Sequence, residues 1–235
     1  MRVAIMQPYI FPYIGYFQLI HAVDTFVFYD DVDFIKRGWI NRNRLLVNGE
    51  DHLFTIPCVK ASQNRPINRI KVHKKGKWKR KLLATIKHNY TKALYFDQVF
   101  PIIKKILDQP PDYIGDLAIK SVEIIWEYLN MRDQKKWVKS SELSVSGELG
   151  KADRLIEITL RTGGTTYINA PGGKKLYDKS YFKDKGVSLN FIDNTFPPYQ
   201  QFSSTFIPGL SIIDILMHNS IQEIQNNQIS SYTLS

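Results

Sequence analysis

Along the first part of the chain the apolar residues change rhythm at short intervals. Residues 2–6 form an apolar run without alternation, bounded by Gln7 and Pro8, which is the pattern of a strand covered on both faces. Pro12 suits the first position of a helix, where a missing N–H is no loss, and Tyr13, Tyr16, Phe17 and Ile20 then recur at helical spacing as far as Asp24. A second apolar run at 25–29 stops on the pair Asp30 and Asp31. Strand, loop, helix and strand in this order predict a right-handed crossover between parallel neighbours. Their carboxyl ends then lie side by side, so Gln7, Asp30 and Asp31 are expected together where open α/β sheets bind ligands.

Further on, 44–47 and 52–59 read as a hairpin around Asn48-Gly49-Glu50-Asp51, because Asn-Gly supplies the positive φ angles of such turns. Residues 67–72 alternate and predict a third antiparallel strand, which would make the sheet mixed. Helical periods follow at 78–88, 98–107 and 112–129, then a short strand at Trp137 and Val138 ending on Ser140-Ser141. A helix at 151–161 stops at Gly163-Gly164, and strands are expected at 165–168 and 187–192. Gly172-Gly173 directly after a strand would let backbone approach a phosphate, although it lacks the spacing of a dinucleotide fingerprint, and a flexible turn explains it as well. A last helix spans 211–217 with Ser211 as N-cap; Asp214 in its first turn answers either to the helix dipole or to a site. The fold class is α/β: a Rossmann-like, mostly parallel sheet with a β-hairpin extension and a helical insert, in one domain over 1–235, the basic hairpin and insert occupying about 44–131.

Length and composition agree with one domain, since 235 residues of which 43% are hydrophobic bury a full core. No apolar run approaches a membrane span, no signal peptide is legible, and the single cysteine, Cys58, excludes a disulfide framework and a multi-cysteine zinc site, so a cytoplasmic location is expected. Cys58 lies in an apolar strand pattern and reads as a small buried hydrophobe rather than a nucleophile. The net charge of +10 is uneven: no acidic residue lies between Asp51 and Asp97, while Lys60, Arg65, Arg69, Lys71, Lys74, Lys75, Lys77, Lys79, Arg80, Lys81, Lys87 and Lys92 do. This local field either meets an anionic partner or is a solvated lysine-rich face.

Catalytic templates are mostly excluded. There is no Gly-x-Ser-x-Gly elbow, zinc helix, calcium loop or kinase signature, and the 5 histidines share no ligand spacing, so neither a metal nor a cofactor is called for. His88, at the end of the basic stretch, is the histidine best placed for function and joins Asp30 and Asp31 as a catalytic candidate. Nucleotidyl-transfer enzymes seat phosphates at the helix after their first strand, yet their signature histidines are missing from residues 7–16, and that likeness is one of topology. Several segments together carry a specific resemblance: Gln7-Pro8-Tyr9, Pro12-Tyr13-Ile14-Gly15-Tyr16-Phe17, Asp24, Asp30-Asp31-Val32 and Trp39-Ile40-Asn41-Arg42-Asn43-Arg44. Pro57, Trp78, Tyr90, Ser140-Ser141, Tyr167, Gly172-Gly173 and Leu210-Ser211-Ile212-Ile213-Asp214 agree. In combination these resemble the hallmark sequence of the WbqC-like family, across nearly the whole chain. The resemblance implies a step in making or decorating a bacterial surface sugar, in O-antigen (lipopolysaccharide) or capsule biosynthesis, by a transferase moving an acyl or aminoacyl group to an amino sugar.

Chemistry and resemblance meet in a nucleotide sugar or other phosphorylated small molecule as partner, with an acyl or aminoacyl donor. A pyrophosphate wants cations and helix N-termini; a sugar wants aromatic faces with a few carboxylates and amides. Tyr9, Tyr13, Tyr16 and Trp39 would stack, although Tyr16 and Phe17 read better as core. Asp30, Asp31 and Asn41 would bond hydroxyls or an amine, and Lys36, Arg42, Arg44 and His88 would meet phosphate. Asp30 or Asp31 would serve as general base, and adjacent carboxylates at a strand end repel unless bonded, paired or used. Tyr167, Gly172 and Gly173 join the substrate-binding set. Residues 36–44 are expected to fold over the second strand as a wall of the site, with a rival structural role in which the arginines bridge to Asp30 or Asp31. Two other classes remain: nucleic-acid binding through the basic interval, with Trp78 and Tyr90 stacking, ranked lower for want of a signature, and a non-catalytic scaffold on an acidic membrane surface.

Overall fold

The computed structural model describes residues 1–131 and 135–235. The first unit forms as its pattern predicts: β1 (Arg2–Met6), α1 (Ile14–His21) and β2 (Thr25–Phe28), with the two strands parallel and in register from Val3 opposite Thr25 to Met6 opposite Phe28. Alternate residues face opposite layers. Val3, Ile5 and Val27 pack into one core, whereas Ala4, Phe26 and Phe28 pack into the other. That double burial is why the run shows no polar alternation.

The helix begins two residues later than Pro12, because Phe11 adopts a left-handed φ of 42° and the Pro12 carbonyl accepts the Ile212 N–H at 2.9 Å instead of starting a helical ladder. It stops at His21, short of Asp24, whose carboxylate accepts the Arg2 N–H at 2.6 Å.

The hairpin is β3 (Arg42–Val47) and β4 (Glu50–Thr55), closed by Asn48 and Gly49 at φ 53° and 83°. Its turn is therefore two residues long, with Glu50 and Asp51 already in β4. It does not join the main sheet, and neither do β5 (Cys58–Val59) and β6 (Lys71–Val72), which pair with each other. The expected third strand at 67–72 is a 3-10 turn, Ile67–Arg69, followed by the short β6. Three helices follow: α2 (Trp78–Tyr90), α3 (Phe96–Asp108) and α4 (Ile114–Tyr128). Their apolar faces share a continuous core with α1 and one face of the sheet, sealed where Trp137 stacks on Phe28 at 5.5 Å and meets Trp126 edge-on at 6.2 Å.

The second half restores the alternation: β7 (Lys136–Lys139), α5 (Lys151–Arg161), β8 (Thr166–Asn169), α6 (Lys179–Asp184), β9 (Ser188–Asn194), α7 (Ile212–His218), the single turn α8 (Ile221–Glu223) running into a π-helical turn (Ile224–Ile229), and β10 (Tyr232–Leu234). The sheet order is β10-β9-β8-β1-β2-β7, parallel except for β10 against β9. It is thus mixed, through its last strand rather than through the hairpin. The order is Rossmann-like and reverses between β1 and β8, where such sheets open a crevice at their carboxyl ends. Among the described residues no helix is long and apolar enough to cross a membrane.

Candidate functional site

The crevice side of β1 continues into a loop under tension. Phe11 is fully buried in the left-handed region, which costs a residue with a Cβ about 1–2 kcal/mol. It is held there from three sides. Its N–H donates to Ser121 Oγ on α4 at 3.1 Å, and its carbonyl accepts from Asn43 Nδ2 on β3 at 2.7 Å and from Ser211 Oγ, the N-cap of α7, at 2.8 Å. Asn43 also reaches the Ile10 carbonyl at 3.1 Å. Hairpin, insert and C-terminal helix therefore converge on the loop after β1, and strain kept by so many partners is characteristic of binding sites. The loop presents Gln7, Tyr9 and Tyr13, all half-buried. The Tyr13 ring lies across the start of α1, where a Cβ on Gly15 would come within 2.4 Å of it. Burial, with Tyr13 alongside, pushes the Tyr9 phenol up to about 12, and burial raises Tyr13, so both remain hydroxyl donors at neutral pH. Tyr16 is core, as is Phe17.

Beside it, the ends of β2 and β7 hold the two carboxylates. Asp30 is buried and accepts from the Ser141 N–H at 3.0 Å and the Ser141 hydroxyl at 2.8 Å, with Asn68 Nδ2 at 3.5 Å. The Ser140 hydroxyl accepts the Asp30 N–H at 3.2 Å. Its one proton goes to the nearer carboxylate, Asp31, so a single serine bridges the pair. Asp31 also receives Arg154 Nη2 at 2.6 Å, and Arg154 Nη1 donates to the Tyr29 hydroxyl at 3.2 Å while its guanidinium lies 4.9 Å from the Tyr29 ring centre. Repulsion between neighbouring carboxylates is thus relieved by hydroxyls, an amide N–H and one guanidinium. Arg154 was not among the residues the sequence singled out. Its side chain is 8% exposed against 22% for Asp31, which leaves Asp31 the reachable carboxylate.

Residues 36–44 do follow β2, but both arginines are engaged internally, although Arg44 Nε is buried without a partner. Arg42 donates to the carbonyls of Gly38, at 2.8 Å, and Arg37; Arg44 pairs with Asp51 at 2.9 Å and donates to the Gly209 carbonyl at 3.2 Å. Their guanidiniums flank exposed Trp39 at 5.7 and 5.9 Å. The bridge to Asp30 or Asp31 expected of these arginines is made by Arg154. Asn41 donates to the Ile56 carbonyl at 2.8 Å, extending the hairpin, and Lys36 is exposed. Cys58 is half-buried, and burial drives its thiol up to about 12, which suits a packing role.

Other residues of the expected set stand apart. His88 lies at the hairpin tip in a cavity with Asn48, Asn89, Lys92 and Phe202, remote in its contacts from the partners of Asp30 and Asp31. Tyr167 faces the second core, stacked on Phe182 at 5.9 Å, because its place on β8 points it under α6 rather than into the crevice. Gly172 is exposed after β8; Gly173 is buried, and a Cβ there would fall 2.1 Å from Asn169 Nδ2, so packing accounts for this glycine.

A second polar centre surrounds Asp214, which the sequence left open between the helix dipole and a site. Asp214 is fully buried on α7 and accepts from the Tyr199 hydroxyl at 2.6 Å, the Tyr90 hydroxyl at 2.8 Å and Gln201 Nε2 at 3.0 Å. Burial, followed by the Asp214 charge, drives both phenols far above their ordinary value. The signal was present in sequence: a lone carboxylate inside Ile212-Ile213-Asp214-Ile215-Leu216-Met217 has no polar face to occupy.

The strand order defines a Rossmann-like α/β protein whose distant segments meet at the loop after the first strand. The WbqC-like protein family matches residues 7–226, and the chain belongs to that family. It is 27% identical over 220 residues, 92% of this chain and 93% of the relative, to a protein of Mycobacterium tuberculosis (strain ATCC 25618 / H37Rv) named Uncharacterized protein Rv1507c. No solved structure shows a significant match.

Proposed function

We propose that the protein is a transferase of bacterial surface-polysaccharide biosynthesis that moves an acyl or aminoacyl group to the amine of a nucleotide-linked amino sugar bound at the carboxyl ends of β1, β2 and β8. The observation that carries this reading is the left-handed, triply clamped Phe11, which holds Gln7, Tyr9 and Tyr13 at the reversal of strand order. In this reading Tyr9 and Tyr13 offer ring faces and hydroxyl donors to the sugar, and Gln7 bonds a hydroxyl. Lys36 and the backbone at Gly172 approach the pyrophosphate. The amine attacks the acyl carbonyl, a C–N bond forms as the bond to the donor's leaving group breaks, and Asp31 takes the amine proton. Arg154 orients Asp31.

Purified protein incubated with UDP- and dTDP-linked amino sugars and a panel of acyl and aminoacyl donors, read by mass spectrometry of the sugar product, tests this. A product should form with at least one pair. Asp31→Asn should lower turnover by at least about 100-fold while leaving nucleotide-sugar affinity within a few fold, as loss of a general base does. Unchanged turnover in Asp31→Asn removes that role, and no binding of any nucleotide sugar removes the reading.

An anionic macromolecule is the second reading, favoured by the exposure of the basic interval, whose described ion pairs are Lys74 with Asp112 and Lys79 with Asp108. Salt-dependent binding of an oligonucleotide, or of anionic but not neutral vesicles, is its test.

A further inference from the structure

An open depression of about 830 Å³ lies at the hairpin tip, between residues 48–51 and residues 201–205 with Ile207. A second opening of about 440 Å³, holding His88 and Lys92, adjoins it and shares Asn48, Gly49 and Phe202. Phe202 stands between the two with 42% of its surface exposed.

The wall carrying Phe202 is fixed in place. Gln201 is 7% exposed; its Nε2 donates to Asp214 and, at 3.1 Å, to the Ile207 carbonyl, while its Oε1 accepts the Ile207 N–H at 2.8 Å, so one amide closes the segment on itself and ties it to the buried carboxylate. Ser203 Oγ donates to the Gly49 carbonyl at 2.9 Å, joining that wall to the hairpin turn. Behind the ring, His218 meets Phe202 edge-on at 4.6 Å. A negative charge kept in the interior by three neutral donors is a costly way to stabilise a fold, and its return here is the fixed geometry of one surface segment.

The lining is one-sided in its chemistry. Phe202 is a flat apolar platform, and around it stand the carboxylate of Glu50, the hydroxyls of Ser204 and Thr205, and the amide of Asn48, all exposed. Asp51 is already paired with Arg44. Such a set, with an aromatic face ringed by acceptors and no cation on the larger side, repels phosphate and suits a ring that is apolar on one face and carries hydroxyls at its rim. We propose that this cleft is a carbohydrate-binding site, in which a pyranose residue stacks on Phe202 and gives its hydroxyl protons to Glu50 and to Ser204 or Thr205. The site shares none of its lining with the strand-end crevice, and so stands or falls independently of the transferase reading.

Saturation-transfer NMR on the full chain, with the methyl glycosides of glucose, galactose, mannose, rhamnose and N-acetylglucosamine, tests it. At least one glycoside should receive saturation. Phe202→Ala should weaken that binding about tenfold, the scale of one lost aromatic stacking contact. Phe202→Tyr should retain it, Glu50→Gln should weaken it a few fold, and Leu160→Ala, exposed on α5 away from both sites, should leave it unchanged. No saturation with any glycoside, or binding that both Phe202→Ala and Glu50→Gln leave intact, overturns the proposal. Should Phe202→Ala lose its fold, Glu50→Gln at the exposed start of β4 decides alone.

Discussion

Asp31 and Asp214 are both carboxylates largely withdrawn from water, yet the first keeps an arginine 2.6 Å away while the second is wholly enclosed by two phenols and an amide. An ion pair with one flank open to solvent has an alternative: a ligand can take over either partner and recover its energy in new bonds. Neutral donors around a sealed carboxylate have none, since water cannot enter to replace them and each would be left unsatisfied. The strand-end network is thus suited to exchanging partners, and the Asp214 network to holding a shape.

The strongest way to break this contrast is Asp214→Ala. It leaves the Tyr90 and Tyr199 hydroxyls without their acceptor and removes one partner of Gln201 Nε2, and should cost about 3–5 kcal/mol, seen as a large fall in the urea midpoint, with residues 201–207 gaining hydrogen exchange. Stability within about 1 kcal/mol of the parent would show that water reaches this centre after all. Arg154→Met comes next. It should cost about 2 kcal/mol, less than breaking a sealed pair, because Asp31 has solvent on one side; it should also change any pH–rate profile that Asp31 governs. A loss equal to that of Asp214→Ala would erase the distinction between the two networks.

The smallest effect concerns His218, beside Asp214. Burial pulls its imidazole below the ordinary 6.5, against the opposing pull of the Asp214 charge, with Tyr90, Tyr199 and Phe202 as its ring neighbours. A base with a depressed folded value takes its proton more readily unfolded, so its contribution is fully present above pH 6.5 and is lost as the pH falls below that, through the folded value. His218→Gln should therefore flatten the acid side of the stability curve by less than about 1 kcal/mol between about pH 7 and about pH 5, measured as urea midpoints. His21, depressed in the same direction, keeps the remainder of the slope.

Legibility in the sequence followed the range of the forces. The helix Lys151–Arg161 and the strand Arg2–Met6 have the bounds their patterns predict, because apolar period and flanking residues specify them locally. The start of α1 was misjudged, since Ser121, Asn43 and Ser211 impose the Phe11 geometry from far along the chain. α6, the π-helical turn and β10 carry too few residues for a period to show. At the strand ends, Asp30 and Asp31 stood out as an unrelieved like-charge pair, but what relieves them lies some hundred residues away: Ser140, Ser141 and Arg154. Arg154 had one sequence mark, a charge four residues before Ile158 in the buried stripe of its helix. The arginines of 36–44 were read as ligand groups because the backbone carbonyls that occupy them leave no trace in side-chain identity.

The position of β1 has a consequence for synthesis. It precedes the other described strands of its sheet along the chain and it lies inside that sheet, with β2 on one side and β8 on the other, where Arg2 is opposite Thr166. At about 5–20 residues per second, one edge of β1 stays unpaired for roughly 10–30 seconds after the other has closed. Throughout that interval the nascent chain displays an apolar strand with bare N–H and C=O groups, the surface that chaperones and neighbouring nascent chains recognise. Ribosome-bound chains halted before residue 166 should accordingly recruit chaperones until β8 emerges to cover that edge.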